Sequence, residues 1–233
     1  MRLDGEILSL PGGGKALFTG RTHGNLSSVG GEHAQGGLHA RESLRAAIGV
    51  ERLLRGYQVH GTVVCRVLSN ESPEAIRCDS ERQPDIQADG HAVAVKSVAA
   101  MVLSADCIPV VLGAEGAVAA LHAGWRGLAA GILEEGVRAL RELNGGGEIS
   151  AIVGPCAGAC CYEVGEEVHG AFGAAHRVGQ KIDLRAIARE RLLAAGVARV
   201  GDVEACTICD EHYFSYRREG TAAGRQAGLA WLS

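Results

Sequence analysis

The stretch Ile108-Pro109-Val110-Val111-Leu112-Gly113-Ala114-Glu115-Gly116-Ala117-Val118-Ala119-Ala120-Leu121-His122-Ala123-Gly124-Trp125-Arg126-Gly127 sets the architecture of this chain. Residues 110–112 and 118–121 are short apolar runs separated by Gly113 and Gly116, the pattern of strands in the interior of a sheet. From Gly127 to Leu143 the period changes. Leu128, Ile132, Val137 and Leu140 fall on one helical stripe, and Asn144-Gly145-Gly146-Gly147 stops it.

Working outward, residues 92–95 and 99–103 read as a buried hairpin, and Tyr57-Gln58-Val59-His60 with Val63, Val64 and Val67 as a strand broken near Gly61. Residues 16–19 form a short strand pattern, the Gly-rich residues 30–37 a mobile loop, and residues 41–48 a helix with Leu44 and Ile48 on one side. Downstream, residues 149–153 read as a strand, and Asp183 as the N-cap of a helix carrying Leu184, Ile187 and Leu192. Strands and helices mix without strict βαβ alternation, which favours α+β with mixed sheets over a doubly wound fold. No Pro- or Ser-rich linker and no solenoid-period repeat divides the 233 residues, so a single domain over residues 1–233 is expected.

Composition narrows the function. The chain is 47% hydrophobic but only 4% aromatic, so its core must be built from Ala, Val, Leu and Ile. A net charge of −4 argues against a general nucleic-acid binder. Only Lys15, Lys96 and Lys181 are lysines, the other 20 basic residues being arginines, so a lone arginine is weak support for an anion site. No long apolar stretch follows Arg2, and the apolar region 92–112 is interrupted by Lys96, Asp106 and Pro109. The expectation is a cytoplasmic protein with no membrane partner. Its eight cysteines are then expected as reduced thiols, metal ligands or a nucleophile.

Polar, metal-competent side chains sit at the ends of apolar strand patterns in three segments: Gln58-Val59-His60-Gly61, Ser104-Ala105-Asp106-Cys107-Ile108-Pro109-Val110 and Leu121-His122-Ala123-Gly124-Trp125-Arg126-Gly127. Two imidazoles and a thiolate suit zinc, and three protein ligands leave a fourth position for water or substrate. Composition alone favours a plainer reading, in which His60 and His122 are hydrogen-bonded histidines and Cys107 a small core residue. Cys206-Thr207-Ile208-Cys209, with His212 nearby, is the strongest rival metal or redox motif.

The three segments taken together closely resemble the YfiH/YlmD family of laccase-domain, polyphenol oxidase-like proteins, also described as peptidoglycan editing factors. The resemblance runs from Phe18 to Gln226. It extends through Gly154-Pro155-Cys156, Cys160-Cys161-Tyr162-Glu163-Val164-Gly165, Cys206-Thr207, Phe214-Ser215-Tyr216-Arg217-Arg218-Glu219 and Gly224-Arg225. It implies α+β mixed sheets in α/β/β/α layers and zinc bound through His60, Cys107 and His122. The activity it implies is purine nucleoside phosphorylase with adenosine deaminase, on adenosine, inosine and methylthioadenosine. The partners would be a small-molecule nucleoside and phosphate. Two local patterns depart from the family. Arg21-Thr22-His23-Gly24-Asn25-Leu26-Ser27 has one more residue between Arg and Ser than the family's Thr-Arg-x-Gly-Gly-Val-Ser, and its Asp-Ala pair is here Asp89-Gly90.

Roles follow from chemistry. Asp106, beside Cys107, is the carboxylate nearest the metal in sequence and a candidate proton carrier, or equally a residue that orients a ligand. Cys161 is a candidate nucleophile, with a buried structural thiol the plainer reading. Arg21, Arg126, Arg217 and Arg225, each inside a matching segment, are candidates for phosphate, with Gln58 for substrate. None of the nine histidines lies two residues from another, and Met1 and Met101 are the only thioethers, which argues against a multicopper oxidase. Cu2+ could still displace zinc in vitro. The alternatives are a peptidoglycan-precursor editing hydrolase, a copper polyphenol oxidase and a non-enzymatic zinc-binding protein.

Overall fold

The computed structural model describes residues 6–28, 34–68, 86–144, 147–173 and 176–233. The first half contains β1 (Leu8–Ser9), β2 (Gly14–Phe18), α1 (Ala34–Ile48), β3 (Arg52–Leu54), β4 (Val64–Val67), β5 (Gly90–Val93) and β6 (Val98–Ser104). Next come β7 (Ile108–Ala114), β8 (Ala117–Ala123), α2 (Trp125–Ala130), α3 (Ile132–Asn144) and β9 (Ser150–Val153). The chain continues through α4 (Glu166–Phe172), β10 (Arg177–Val178), β11 (Lys181–Ile182) and α5 (Leu184–Ala194) to β12 (Arg199–Asp202), α6 (Tyr216–Glu219) and β13 (Gln226–Leu232).

Two large mixed sheets are stacked. One runs β1-β2-β13-β6-β3 and the other β12-β9-β7-β8-β5-β4. Side-chain alternation along single strands makes the layers. In β6, Val98, Ala100 and Val102 face the apolar layer between the sheets, whereas Ala99 and Met101 join Leu17, Leu44 and Trp231 in the layer under α1. In β8, Val118 and Ala120 face the other sheet, and Ala119 and Leu121 pack with Ile132, Leu140 and Ile187 of α3 and α5. The order is α/β/β/α, and the central strands β6, β7, β8 and β13 are buried on both faces almost throughout. The inter-sheet layer is made largely of Ala and Val, as the aromatic-poor composition requires.

The helix expected from Gly127 is interrupted. Gly131 takes φ 101°, capping α2 in the left-handed region, and α3 starts one residue later. The hairpin expected from residues 92–95 and 99–103 does not form. β5 pairs with β4 and β8, whereas β6 pairs with β13 and β3, so the chain crosses between sheets at Lys96 and Ser97, the latter at φ 66°. Both segments are buried on both faces, and burial alone does not say which sheet a strand joins. Of the Gly-rich stretch, residues 34–37 open α1, and residues 30–33 lie outside those described. Asp183 caps α5 as expected, accepting from the Ala186 amide at 2.9 Å. Cys65 is disulfide-bonded, against the expectation that every cysteine is reduced, metal-bound or nucleophilic. No helix among the described residues is long and apolar enough to cross a membrane.

α3 lies on β8 at a glycine. A Cβ at Gly136 would come within 2.3 Å of Leu121 Cδ1, whereas one at Gly170 in α4 meets nothing within 4 Å. Gly136→Val is expected to destabilise the protein by about 1–3 kcal/mol through overpacking. Gly170→Ala is expected to stabilise it by about 0.5–1 kcal/mol through helix propensity. Urea denaturation midpoints measure both, and equal shifts would show that helix–sheet contact is not the limiting constraint at residue 136.

Candidate metal centre and cavity

His60, Cys107 and His122 converge, their ligand atoms all lying within 4.8 Å of one another. His122 is at the end of β8, and Cys107 immediately precedes β7, its antiparallel partner. His60 comes from the residues before β4, where a strand was expected and none forms. The amides of Val59, His60 and Gly61 donate instead to the carboxylate of Asp89, at 3.1, 3.0 and 2.8 Å. With its amides taken by a side chain, the segment turns out of the sheet, and His60 adopts φ 61°.

Asp89 organises the centre. Besides those three amides it accepts from His122 Nδ1 at 2.8 Å, and its own carbonyl accepts from the His122 amide at 2.7 Å. Burial alone would raise its carboxyl, but His122 and the Gly61 and Val59 amides outweigh it and hold Asp89 below its ordinary range. Nδ1 being engaged, Nε2 is the nitrogen that His122 has left for a metal. Burial pushes the Cys107 thiol up, yet the adjoining His122 and His60 bring it down to about 6. Burial likewise lowers His122, but Cys107 and Asp89 raise it to about 9. Between those values the metal-free pair is thiolate and imidazolium.

Glycine spacing in the third segment has a steric cause. A Cβ at Gly124 would lie 2.4 Å from His60 Cδ2 and 3.2 Å from Cys107 Sγ, and one at Gly127 would lie 2.8 Å from the Gly61 carbonyl. The start of α2 therefore packs directly against two of the three donors.

The triad opens into a cavity of about 530 Å³ whose lining includes Tyr57, Gln58, Asp106, Trp125, Arg126, Tyr162, Tyr216, Arg217 and Arg225. The structure sorts the expected site residues by what each already touches. Asp106, at φ 87°, has both oxygens engaged, accepting from Thr207 Oγ1 and from the Arg217 amide, each at 2.7 Å. Both contacts brace the turn that presents Cys107, the arrangement that the ligand-orienting reading of Asp106 calls for. Gln58 lines the cavity, but its amide is spent on the backbone of Leu103, donating at 2.7 Å and accepting at 2.8 Å, as a strand neighbour of β6 would. Arg217 donates to the Glu163 carbonyl at 2.8 Å with its guanidinium 4.8 Å from the Tyr162 ring centre. Arg225 donates to the neighbouring carbonyls of Ala223 and Gly224. Arg126 stacks on Trp125 at 4.3 Å and makes no hydrogen bond or ion pair with the described residues.

Two expected residues stand apart from the cavity. Arg21 is paired with Glu219, donates to the Tyr213 carbonyl at 3.2 Å and lies over Phe214, so it braces the segment before α6. Cys161 sits among three other cysteines, where burial and the sulfurs of Cys209 and Cys160 push its thiol up, the opposite of an activated nucleophile. Asp89, which the sequence marked only as part of an altered family pair, is the residue to which sequence reasoning gave no role at the centre. Its signal was a carboxylate at the head of an otherwise apolar strand.

The donor set fits one ion. Two imidazoles and a thiolate, one imidazole braced by a carboxylate, with no fourth described His, Cys, Asp or Glu joining them, make a three-ligand site with a position open to the cavity. It does not fit a multicopper centre, since the other metal-competent group among the described residues is all cysteine and Met101 is buried under α1.

Fold and site together define a class, an α/β/β/α protein with a three-ligand metal-competent centre gathered from one loop and two strand ends. The profile of the family described as "Multi-copper polyphenol oxidoreductase laccase" matches residues 16–233. The chain is 39% identical over 241 residues to a "Purine nucleoside phosphorylase" of Xylella fastidiosa (strain Temecula1), spanning 95% of this chain and 88% of that one. With the "Purine nucleoside phosphorylase YfiH" of Escherichia coli (strain K12) it shares 40% identity over 146 residues, 56% of this chain and 58% of that one. Its fold superposes on the crystal structure of YlmD from Geobacillus stearothermophilus with TM-score 0.81 at 26% identity, covering 100% and 97% of the two chains. The chain belongs to the YfiH/YlmD laccase-domain family.

Asp89→Asn keeps the size of the side chain but removes the charge that four donors share. Metal affinity is expected to fall about 10–100-fold. A competition titration against a chromophoric chelator measures it, and unchanged affinity would dismiss Asp89 as the organiser. In metal-free protein, alkylation of Cys107 is expected to rise with a midpoint near pH 6, and His122→Gln to move that midpoint upward. Because His122 is protonated up to about pH 9, loading metal at pH 7.5 should release roughly one proton, and affinity should drop as the pH falls.

Proposed function

We propose that this chain is a zinc-dependent purine nucleoside phosphorylase that also deaminates adenosine, acting in the cytoplasm on free nucleosides and phosphate. The observation that carries the reading is one cavity that joins the His60–Cys107–His122 centre to Arg126, Arg217 and Arg225 and to the aromatic side chains of Trp125, Tyr162 and Tyr216. The named activity of the Xylella relative, aligned over 95% of this chain, supports it.

Each part of the cavity suits one part of the chemistry. Aromatic walls offer a purine ring the apolar contact it needs. Phosphorolysis requires phosphate to be held against the anomeric carbon while the glycosidic bond to the base breaks. Arg126 is the arginine suited to that, because its planar fork lines the cavity with its donors uncommitted to the described residues. Arg217 and Arg225 have spent donors on carbonyls and contribute charge with fewer free N–H groups. Asp106, held by Thr207 and the Arg217 amide, keeps Cys107 in place and couples it to the segment that carries Arg217. A zinc ion on His60, Cys107 and His122 would supply a Lewis acid and water of lowered pKa, the chemistry that removal of an exocyclic amine demands. Cu2+ competes for the same donors in vitro.

Adenosine and inosine, each incubated with and without phosphate, test the assignment by product. Free base with ribose 1-phosphate is expected only when phosphate is present, and inosine from adenosine in either case; chelation should abolish the second reaction. Arg126→Lys keeps the charge and loses the fork, so the Michaelis constant for phosphate should rise about tenfold or more, while deamination changes little. Equal losses in both reactions would remove Arg126 from the phosphate site. Neither product with metal-loaded protein would turn the case to the peptidoglycan-precursor editing hydrolase.

A further inference from the structure

A second sulfur-rich cluster lies beside the cavity. Cys160 and Cys161 belong to the turn after β9, and Cys206 and Cys209 to the loop after β12. Their four sulfurs lie within 4.8 Å of one another. Separations are 3.3 Å for Cys160–Cys161, 3.6 Å for Cys160–Cys209, 3.4 Å for Cys161–Cys206 and 2.9 Å for Cys161–Cys209. Four thiols brought together from strands that end 49 residues apart leave no room for a side chain between them.

We propose that Cys160, Cys161, Cys206 and Cys209 bind a second metal ion, a thiophilic divalent cation of which zinc is the natural case, in a closed four-sulfur site. Zinc–sulfur bonds of about 2.3 Å place tetrahedral thiolates about 3.8 Å apart, inside the range from 2.9 Å to 4.8 Å that the four sulfurs span, so small shifts of the side chains would seat the ion. An iron–sulfur cluster inserts sulfide between several irons and spreads its cysteines wider than this. The backbone is built for the site. The Gly158 amide donates to Cys206 Sγ at 3.2 Å, and a Cβ at Gly158 would lie 3.1 Å from Cys206 Cβ and 3.3 Å from both Cys160 Sγ and Cys206 Sγ. The two loops are already zipped at Cys156 and Cys206, the Thr207 amide donating to the Cys156 carbonyl at 3.0 Å. Lys181 Nζ donates to the Cys160 carbonyl at 2.6 Å, setting a cation near a centre that four thiolates and one divalent ion would leave negative.

The place of the cluster gives it a job. Tyr162, next to Cys161, lines the cavity. Thr207, next to Cys206, holds Asp106, which precedes Cys107. An ion joining the two loops would lock the scaffold on which the His60–Cys107–His122 centre stands. The proposal is independent of the reaction assigned to that centre.

Metal analysis of protein purified under reducing conditions tests it. Wild type is expected to hold about two zinc ions per chain, and Cys107→Ala/His122→Ala about one, because the four-cysteine site is untouched. Cys206→Ser/Cys209→Ser should lose that ion and melt at a lower temperature. Should this variant fail to fold, two measurements on the Cys107→Ala/His122→Ala protein decide alone. Loading with Co2+ should give the strong thiolate-to-cobalt absorption of a four-sulfur tetrahedral site. Alkylation followed by peptide mapping should find Cys160, Cys161, Cys206 and Cys209 protected until a chelator is added. The proposal fails if that protein holds no ion, if the four cysteines react equally fast with and without zinc, or if they map as disulfides.

Discussion

One buried carboxylate holds the centre of this protein together. Asp89 is 1% exposed, yet it is ionised, because three consecutive amides and an imidazole surround it. A buried carboxylate without such partners would be strongly destabilising. Satisfying it forces residues 59–61 out of the sheet, and that departure puts His60 opposite Cys107 and His122. The same interaction fixes the His122 tautomer. The unusual backbone at His60 and the orientation of His122 thus trace to a single charge, which also helps keep His122 protonated, and it is His122 and His60 that lower Cys107.

Around that charge the fold is made of small residues. Alanine and valine fill the layer between the sheets, and glycines at residues 124, 127 and 136 bring helices against a strand and against the metal donors. A core of this kind leaves the polar groups little slack. Asp106 and Gln58 show the consequence, since both line the cavity while their polar atoms serve the backbone and the Thr207 hydroxyl around it. The arginines divide in the same manner. Arg21 braces a loop and Arg217 a turn, and Arg126, stacked on Trp125, lines the cavity with no hydrogen bond or ion pair to the described residues.

Two metal-competent clusters of different character sit on one scaffold. The His-Cys-His set is open on one side to a cavity of about 530 Å³. The four-cysteine set gathers four sulfurs and joins two loops. Open and closed coordination separate reactive from structural ions. Their proximity, through Thr207 and Asp106, makes the second a support for the first.

The sequence by itself determined what its local periodicity and chemistry encode. The β7–β8 pair, the apolar stripe through Leu128, Ile132, Val137 and Leu140, the Asp183 cap and the three donors His60, Cys107 and His122 were all legible, the donors through motifs spread over nearly the whole chain. Tertiary structure alone decided the rest. Strands β5 and β6 look alike because both are buried on both faces, and only the stacking of the sheets assigns them to different layers. Asp89 acts on residues about 30 positions away, so no window of sequence displays its partners. Which arginines are tied to carbonyls, and that Cys160 and Cys161 meet Cys206 and Cys209, depend on side-chain hydrogen bonds and loop contacts made when the chain folds. Periodicity reports which face of an element is buried, whereas the partner of a polar group is settled only when the chain closes around it.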